Sequence, residues 1–504
     1  MSTESNEKGL TATSEPDGPG LPPEAAAPAD PRRWRILAVL GLVQFMLILD
    51  VTVVNIALPR IQDNLGFSGA GLAWVVNGYV VMAGGLLLLG GRLADVFGRR
   101  RLFLIGVVVF AAGSIACGAA TNPATMIAGR VVQGVGEALT APAALGLIAL
   151  MFTDAKERGK AFGIWGGLAG LGGVTGSVIS GALVDLVSWR WIFFINLPVA
   201  VVALVLVPML TSESRMTREH VRLDFSGAIV GTLGLGGAVY GLLQVVSHSW
   251  ASWQVLLPLL GGLALLGAMV AIEARSSAPL IPLSFFGNRT RLVANVGTLV
   301  STGGFFTYSY LLTLFEQQVL HYSPLTAGLS YLPFGVAIGL GIGLNNALMP
   351  RLGVRVTLTI GFIGSAVGLF LTGMLDVGSS YAGGVLPGMI ILGMFTGVAI
   401  PASTSAALHE VDEQNSSLAS AVQNVMQQIG AAVGIACLVA LALTHATDEL
   451  RSGADPAVAS ASGLALSFWF GAAFMVVSAG LVLVLLGNPK AAEWGAPKES
   501  PAAA

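Results

Sequence analysis

The chain has 504 residues, of which 54% are hydrophobic and only 10% are charged, and its mean hydropathy is +0.79. That composition excludes a soluble globular protein and indicates a chain that lies in a lipid bilayer. The formal net charge of -2 leaves no polybasic surface for nucleic acid, and Cys117 and Cys437 both fall in apolar runs. We therefore expect no nucleic-acid partner, no disulfide framework and no metal site.

The first 35 residues contain six prolines among Gly, Ala, Ser and Glu and show no apolar period, which predicts a disordered tail. The apolar run from Ile36 to Ile56 is too long for the core of a signal peptide, so we expect it to stay as a spanning helix. Counting this run, apolar windows of about 20 residues recur fourteen times. The pattern predicts an all-α membrane protein with fourteen spans.

Lysines and arginines are concentrated in the N-terminal tail and in alternate loops. Because positively charged loops stay in the cytoplasm, this asymmetry places those loops and both termini on the cytoplasmic side. A shift of the topology by one helix would invert the asymmetry at every loop.

An internal repeat relates the two ends of the membrane region. The pattern Leu93, Gly98, Arg100 recurs as Leu348, Gly353, Arg355 with an offset of 255 residues, and Gly134–Pro142 is echoed by Gly393–Pro401. The repeat predicts two related six-helix bundles with two additional helices between them, unless the likeness is chance among glycine-rich helices. The predicted division is a disordered cytoplasmic tail at 1–35, an N-terminal bundle at 36–210, a cytoplasmic linker with the two additional helices at 211–275, a C-terminal bundle at 276–487 and a cytoplasmic tail at 488–504.

Four motifs, supported by Tyr322-Ser323-Pro324 and Leu386-Pro387-Gly388, together give the chain a family resemblance. They are the charged turn at 91–101, the first-span motif at 49–59, the fourth-span motif at 130–136 and the segment 188–198. The chain resembles the major facilitator superfamily, specifically its fourteen-span drug:proton antiporter branch. The resemblance implies the major facilitator fold and export of compounds in exchange for protons. The Gly-Pro pair that exporters of this family carry in the fifth helix is replaced here by Gly176-Ser177, which leaves the direction of transport open.

Two charged residues fall deep inside predicted spans. Asp50 lies about 10 Å and Arg130 about 9 Å from the same membrane surface, at a rise of 1.5 Å per residue. Charges at such depths face the bundle interior and pair with each other or with water. A carboxylate that alternates between a guanidinium partner and a different environment can load and release a proton. The alternative is a static ion pair that only holds the bundle together.

Glu137 follows Arg130 by seven residues, so the two side chains and Gln133 share one face of a helix. Glu137 falls near the middle of the membrane, where transporters bind their substrates. We predict proton coupling by Asp50, Arg130 and Glu137, with Glu137 and Gln133 also lining the substrate cavity. A protonated, hydrogen-bonded core carboxyl is an equal alternative for Glu137.

Other polar and aromatic residues are predicted to line the same cavity, although aromatic side chains of this kind also serve as packing. These are Asn55, Gln423, Asn424, Gln427, Phe305 and Tyr308. Two further acids, Asp185 and Glu316, fall near the outer ends of predicted helices, where we expect water to hydrate them.

The charged turn after the second span predicts a cytoplasmic gate. The resemblance implies that Asp95 faces the start of the thirteenth span, and the loop before that span carries acids and no lysine or arginine. Pairing of these acids with the arginines would close the gate, whereas ordinary topology-setting charge is the simpler interpretation. The predicted gate residues are Gly91, Asp95, Gly98, Arg99, Arg100, Glu410, Asp412 and Glu413.

The sequence thus predicts proton-coupled efflux of amphipathic, cationic or neutral aromatic compounds by alternating access, in a bacterial cell membrane. We expect no cofactor and a monomer in the bilayer, with protons and the small-molecule substrate as partners. A nutrient symporter of the same fold, a lipid flippase and a ligand sensor remain as alternatives. A membrane enzyme is disfavoured because no nucleophile elbow, spaced histidine pair or phosphate loop occurs.

Overall fold

The computed structural model describes residues 32–152, 154–211, 224–276, 279–281, 283–409, 411 and 416–486. Those residues form helices joined by turns and loops. The helices are α1 Arg33–Leu65, α2 Gly69–Phe97, α3 Arg99–Gly118, α4 Pro123–Met151, α5 Ala155–Leu186, α6 Trp191–Phe194, α7 Asn196–Leu210, α8 Phe225–Gln244, α9 Trp253–Arg275, α10 Arg289–Leu314, α11 Pro324–Ser330, α12 Leu332–Thr372, α13 Leu386–Ala407, α14 Ser416–Arg451 and α15 Pro456–Leu485. A 3-10 turn, Leu283–Gly287, precedes α10, and π-helical turns, Phe315–Val319 and Tyr381–Val385, follow α10 and precede α13.

Eleven helical segments in the described part of the chain are long and apolar enough to cross a membrane. One of them, Pro324–Thr372, contains two helices that meet at Gly353. Two further predicted spans fall on α5 and α10, which are outside this set of eleven. The prediction of an all-helical, multi-span fold is confirmed, and the count of fourteen spans stays a prediction. The predicted tails lie outside the described residues, except for 32–35.

Short polar side chains begin several of these helices. Ser68, Asn122 and Asp154 each accept a hydrogen bond from the backbone N–H three residues further on. A cap of this kind satisfies one of the four N–H groups that a helix start leaves unpaired. Gly66 ends α1 in the left-handed conformation, with φ 72°, which glycine adopts without strain.

The structure gives the internal repeat a physical basis. Gly98 and Gly353 both adopt positive φ values, 101° and 76°, between two helices. Arg100 then donates a hydrogen bond to the Thr211 carbonyl directly after α7, and Arg355 donates one to the Leu483 carbonyl in the last turn of α15. The repeated glycine therefore allows the turn between two helices in both helix sets, and the repeated arginine connects that turn to the end of the last helix of its set.

The helices pack in two sets that meet along two seams. α1 packs on α5 and α7, and α4 packs on α2 and α3; in the second set α12 packs on α13 and α15, and α10 packs on α14 and α15. The seams are α2 against α14 and α5 against α11. The additional helices α8 and α9 pack on each other, and α8 covers the α2–α14 seam. The predicted residue boundaries of the two bundles stay a prediction.

The two ends of the molecule differ in how closely α5 approaches α11 and α12. We call the side where α1 begins, which carries Arg33, Arg92 and Arg99, the arginine-rich face, and the side where α1 ends the opposite face. At the opposite face α5 and α11 touch so closely that a Cβ on Gly181 would lie 2.6 Å from the Pro324 carbonyl oxygen.

Toward the arginine-rich face no such close approach occurs at three glycines of α5 and α12. A Cβ on Gly163 of α5, or on Gly339 or Gly343 of α12, would meet no atom within 4 Å among the described residues. The α5–α11 seam is thus shut at the opposite face, whereas α5 and α12 show no equally close approach at these glycines toward the arginine-rich face.

Arg190 ties the turn before α6 to the end of α3. Its Nη1 donates to the carbonyl oxygens of Gly118 and Ala120, at 2.9 and 2.6 Å, and its guanidinium lies over the Trp189 ring. We expect Arg190→Ala to lower the free energy of unfolding by about 2 kcal/mol, because two charge-assisted hydrogen bonds are lost from a partly buried site. The thermal unfolding midpoint in detergent measures the effect. Arg451→Ala, at an exposed residue, is the control, and equal midpoints in the two variants would contradict the assignment.

Candidate functional site

A buried ion pair joins α1 to α4. Asp50 and Arg130 are 0% and 1% exposed, and Arg130 Nη1 donates to Asp50 Oδ2 at 2.5 Å. The desolvation cost of two charges nearly cancels their attraction, so such a pair contributes little net stability, yet removal of one partner is strongly destabilising. The structure contains the ion pair that the sequence predicts. Because the pair adds little to the free energy of unfolding, a functional role is the better explanation for its presence.

Amides complete the surroundings of the Asp50 carboxylate. Its Oδ1 accepts hydrogen bonds from Gln133 Nε2 at 2.9 Å and from Asn196 Nδ2 at 2.8 Å. The Ser114 hydroxyl accepts from the same two amides, at 2.8 and 3.2 Å. The network therefore links α1, α3, α4 and α7, and a displacement of any of these helices would alter the hydrogen bonds that the carboxylate receives.

Helix α2 holds the guanidinium from the other side. Arg130 Nε donates to the Val75 carbonyl at 2.8 Å, and the guanidinium lies 4.3 Å from the centre of the Tyr79 ring. Gln133 Oε1 also accepts from Arg130 at 2.9 Å. The cation is thus fixed by a carboxylate, a carbonyl, an amide and an aromatic face.

Glu137 lies two turns beyond Arg130 on α4, as the spacing predicts. It is within electrostatic range of Tyr79, Asp50 and Arg130. Its Oε2 and the Tyr79 hydroxyl are both buried; the two groups lie within hydrogen-bonding range of each other, but neither forms a well-aligned hydrogen bond among the described residues. Glu137 as a whole is only half-buried, so it lies at the edge of the network with unused hydrogen-bonding capacity.

The other predicted cavity residues do not gather around Asp50. Asn55 on α1 reaches Ser309 on α10 at 3.5 Å, which places it at the junction of the two helix sets. Gln423 donates to Thr404 of α13, Gln427 is half-buried and Asn424 is exposed.

The two predicted cavity aromatics pack on a common neighbour. Phe305 is half-buried and stacks on Phe334. Tyr308 is 1% exposed and packs against Phe334 and Phe468, so this part of α10 contributes to the packing of the second helix set.

The residues of the predicted gate bind their own helix set in this conformation. Asp95 accepts from Arg99 at 2.9 and 3.2 Å, and Arg99 also donates to the Gly146 carbonyl of α4. Gly91 and Gly98 lie in α2 and directly after it. The predicted partners Glu410, Asp412 and Glu413 lie outside the described residues, so the gate stays a prediction.

The expectation of hydration is wrong for Glu316 and fits Asp185. Asp185 is exposed, whereas Glu316 is 0% exposed, in the π-helical turn after α10. The sequence places both acids near helix ends, but it does not reveal that α11 packs over this turn.

Sequence reasoning also missed Ser114, Asn196 and Tyr79 as parts of the Asp50 network. Asn196 falls in a recognised motif, and helical spacing alone gives no reason to connect it with Asp50. The one available signal is that an asparagine is expensive in an apolar run and needs a partner there.

The many apolar helices and the charge network buried between them define a multi-span membrane transport protein. The chain matches the family model of the Major Facilitator Superfamily over residues 40–435. It belongs to that superfamily, as the motifs predict, and is a transporter and not an enzyme.

Its relatives include proteins named for antibiotics. The lincomycin resistance protein of Streptomyces lincolnensis is 39% identical, covering 81% of this chain and 84% of that protein. The puromycin resistance protein pur8 of Streptomyces alboniger is 36% identical, over 94% and 95% of the two chains. The cephamycin export protein CmcT of Amycolatopsis lactamdurans is 35% identical, over 88% and 90%.

Solved structures resemble the fold at low identity. A bacterial homologue of the human lysosomal transporter Spinster superposes with a TM-score of 0.65 at 16% identity, over 92% of this chain and 98% of that one. This likeness supports the fold alone.

Proposed function

We propose that the protein exports amphipathic small molecules from the cell in exchange for protons. The observation that carries the proposal is the Asp50–Arg130 pair, buried in a network that spans four helices. A rearrangement of these helices changes the partners of the carboxylate, and with them the balance between its ionised and protonated forms. That dependence is what couples a proton gradient to alternating access, with no cofactor required.

The substrate class follows from the relatives and from Glu137. Proteins 35–39% identical to this chain are named for resistance to lincomycin and puromycin and for export of cephamycin, which supports an antibiotic or a similar compound as the substrate. Glu137, whose buried carboxylate oxygen has only the Tyr79 hydroxyl within hydrogen-bonding range, would attract a cationic group or donate to a neutral one. Asn55, Phe305 and the other predicted cavity residues would supply secondary contacts.

The arginine-rich face is proposed to lie in the cytoplasm of a bacterial cell, because positively charged loops remain on that side. The close α5–α11 contact at the opposite face would then indicate that the protein is in a conformation open to the cytoplasm. When the cytoplasmic side closes, we propose that the turn at 91–101 meets the acidic loop at 410–413. We expect the protein to act as a monomer.

Reconstitution in liposomes tests the proposed export. An imposed pH gradient should drive ethidium, or another dye of a cationic and neutral panel, against its concentration gradient, and a protonophore should abolish the flux. Dye movement in the same direction as the protons would instead identify a symporter. Movement of labelled lipid would identify a flippase, and dye binding without flux would identify a sensor.

Glu137→Gln is expected to change substrate preference more than coupling. Loss of the negative charge should weaken transport of a cationic dye by about 10-fold, while a neutral dye should be affected little. Competition for transport by the two dyes in the same vesicles measures the preference. Asp185→Asn, which removes an exposed acid, is the matched control, and equal losses for both dyes would argue against substrate contact at Glu137.

A further inference from the structure

Glu316 is a second buried acid, and the Asp50 network does not include it. It is 0% exposed; the Ser330 hydroxyl lies within hydrogen-bonding range of its carboxylate, but neither carboxylate oxygen forms a well-aligned hydrogen bond among the described residues. No ion pair to Glu316 occurs among those residues either. An ionised carboxylate without a counter-charge or donors is too costly to bury, so the group carries its own proton in this conformation.

The surroundings of Glu316 are tyrosines and one serine. Four tyrosines are within electrostatic range: Tyr308 of α10, Tyr322 of the loop before α11, Tyr331 between α11 and α12, and Tyr381 of the second π-helical turn. The Ser330 hydroxyl of α11 lies within hydrogen-bonding range.

Two of the tyrosine hydroxyls are already committed elsewhere. Tyr331 donates to the Ser309 carbonyl at 3.0 Å, and Tyr381 donates to the Ser330 carbonyl at 2.8 Å. The Ser330 hydroxyl donates to the Ala327 carbonyl. Among these neighbours Glu316 therefore has no cation, and few hydroxyl groups remain that could donate a hydrogen bond to it.

The π-helical turn that holds Glu316 lies on the junction of the two helix sets. The next residue, Gln317, donates to the Ile56 carbonyl of α1 at 2.8 Å, and Gln318 donates to Gln62 at 3.2 Å. The turn also packs on α11 and α15, and α11 is the element that meets α5 at the shut seam. Single π-helical turns are rare and occur frequently at functional sites. Opening of the opposite face would separate these contacts and admit water to the carboxyl.

We propose that Glu316 is a second proton-binding site, in the C-terminal helix set, that holds a proton while the opposite face is shut and releases it when that face opens. The proposal rests on alternating access as set out under the proposed function. In the shut state the proton stays on the carboxyl, because burial excludes the charge. In the open state water solvates the carboxylate and accepts the proton. Raising the pH must therefore favour the open state, because the deprotonated form is stable only there.

The test measures opening directly and needs no transported substrate. Spin labels are attached to cysteines at the exposed positions Asp63 and Thr326, at the ends of α1 and α11, in a chain with Cys117 and Cys437 replaced by serine. The ratio of long to short label distances is recorded against pH. Each proton released on opening contributes a factor of about 10 per pH unit to that ratio.

Glu316→Gln, which has the shape of the protonated form, is expected to lower this slope by one proton. Glu316→Asp should restore the slope, and Asp185→Asn, at an exposed acid near the same face, should leave it unchanged. Since glutamine could disturb folding, gel filtration and the Glu316→Asp variant keep the result interpretable. An unchanged slope in Glu316→Gln, or a parent chain with no pH response, overturns the inference.

The proposed export is tested separately by dye flux in liposomes. If the slope falls in Glu316→Gln and no dye moves, proton binding by Glu316 stands and the export proposal fails. If dye moves and the slope is unaffected by Glu316→Gln, the export proposal stands and Glu316 is a buried structural acid.

Discussion

Replacing Asp50 with asparagine is expected to lower proton-driven dye transport by about 100-fold. Asparagine occupies the same volume, but it cannot exchange a proton, and it leaves the buried Arg130 without a counter-charge. Breaking a buried pair in this way costs about 3–5 kcal/mol of folding stability. Flux under an imposed pH gradient is therefore measured on protein whose folding has first been checked by gel filtration. Asp63→Asn, at an exposed acid near the end of the same helix, is the matched control and should transport normally.

A double variant separates coupling from structure. Asp50→Asn combined with Arg130→Gln removes both charges, so the unpaired cation is gone and most of the lost stability should return. Transport should stay as low as in Asp50→Asn alone, because the carboxylate to which the proposal assigns proton coupling is still missing. If transport returns together with stability, the pair is a static structural contact, and proton coupling must be assigned elsewhere.

Adding a methyl group at Gly181 is expected to open the opposite face. The new Cβ would lie 2.6 Å from the Pro324 carbonyl oxygen and 2.9 Å from the Leu325 Cα. Both are backbone atoms of α11 and cannot rotate away. Overpacking of this kind costs about 1–3 kcal/mol, which corresponds to a change of about 5- to 150-fold in the ratio of shut to open molecules.

The spin-label pair at Asp63 and Thr326 measures this shift, with longer distances expected in Gly181→Ala. Gly173→Ala is the control on the same helix, because a Cβ there meets no atom within 4 Å among the described residues. Alanine for glycine within a helix should by itself add up to about 1 kcal/mol of stability. A Gly181→Ala protein with the distance distribution of the parent chain would show that the α5–α11 contact does not hold the face shut.

The sequence is sufficient to predict the membrane fold because the physics involved is local. Apolar windows, the placement of arginines and the repeated pattern at Gly98 and Gly353 depend only on neighbours along the chain. The repeated glycine pattern predicts a turn at Gly353, and the structure has a break between two helices there, with a φ of 76° at the glycine. The exact number of spans is less accessible, because α10 carries several serines, threonines and tyrosines that make it less apolar than the other spans.

The site could be predicted only in part. Asp50, Arg130, Gln133 and Glu137 follow from depth in the membrane and helical spacing. Asn196 and Ser114 could not be added, since they reach Asp50 only through the packing of α7 and α3 on α1 and α4.

Glu316 is a residue whose burial the sequence did not predict. A position near a helix end predicts hydration, but a later segment, α11, covers the residue. Contacts between segments that are distant in the sequence determine which polar groups are buried. Such contacts cannot be inferred from the local sequence around each residue.

The hydrogen bonds of Arg100 and Arg355 have a mechanical consequence. Each arginine connects the turn in the middle of its own helix set to the end of the last helix of that set, and both hydrogen bonds lie at the arginine-rich face. Without such a hydrogen bond, the helices of one set would be free to separate from each other at that end. Because the hydrogen bond holds the middle turn and the last helix together, each set can tilt as a rigid body, and the motion is confined to the seams between the sets.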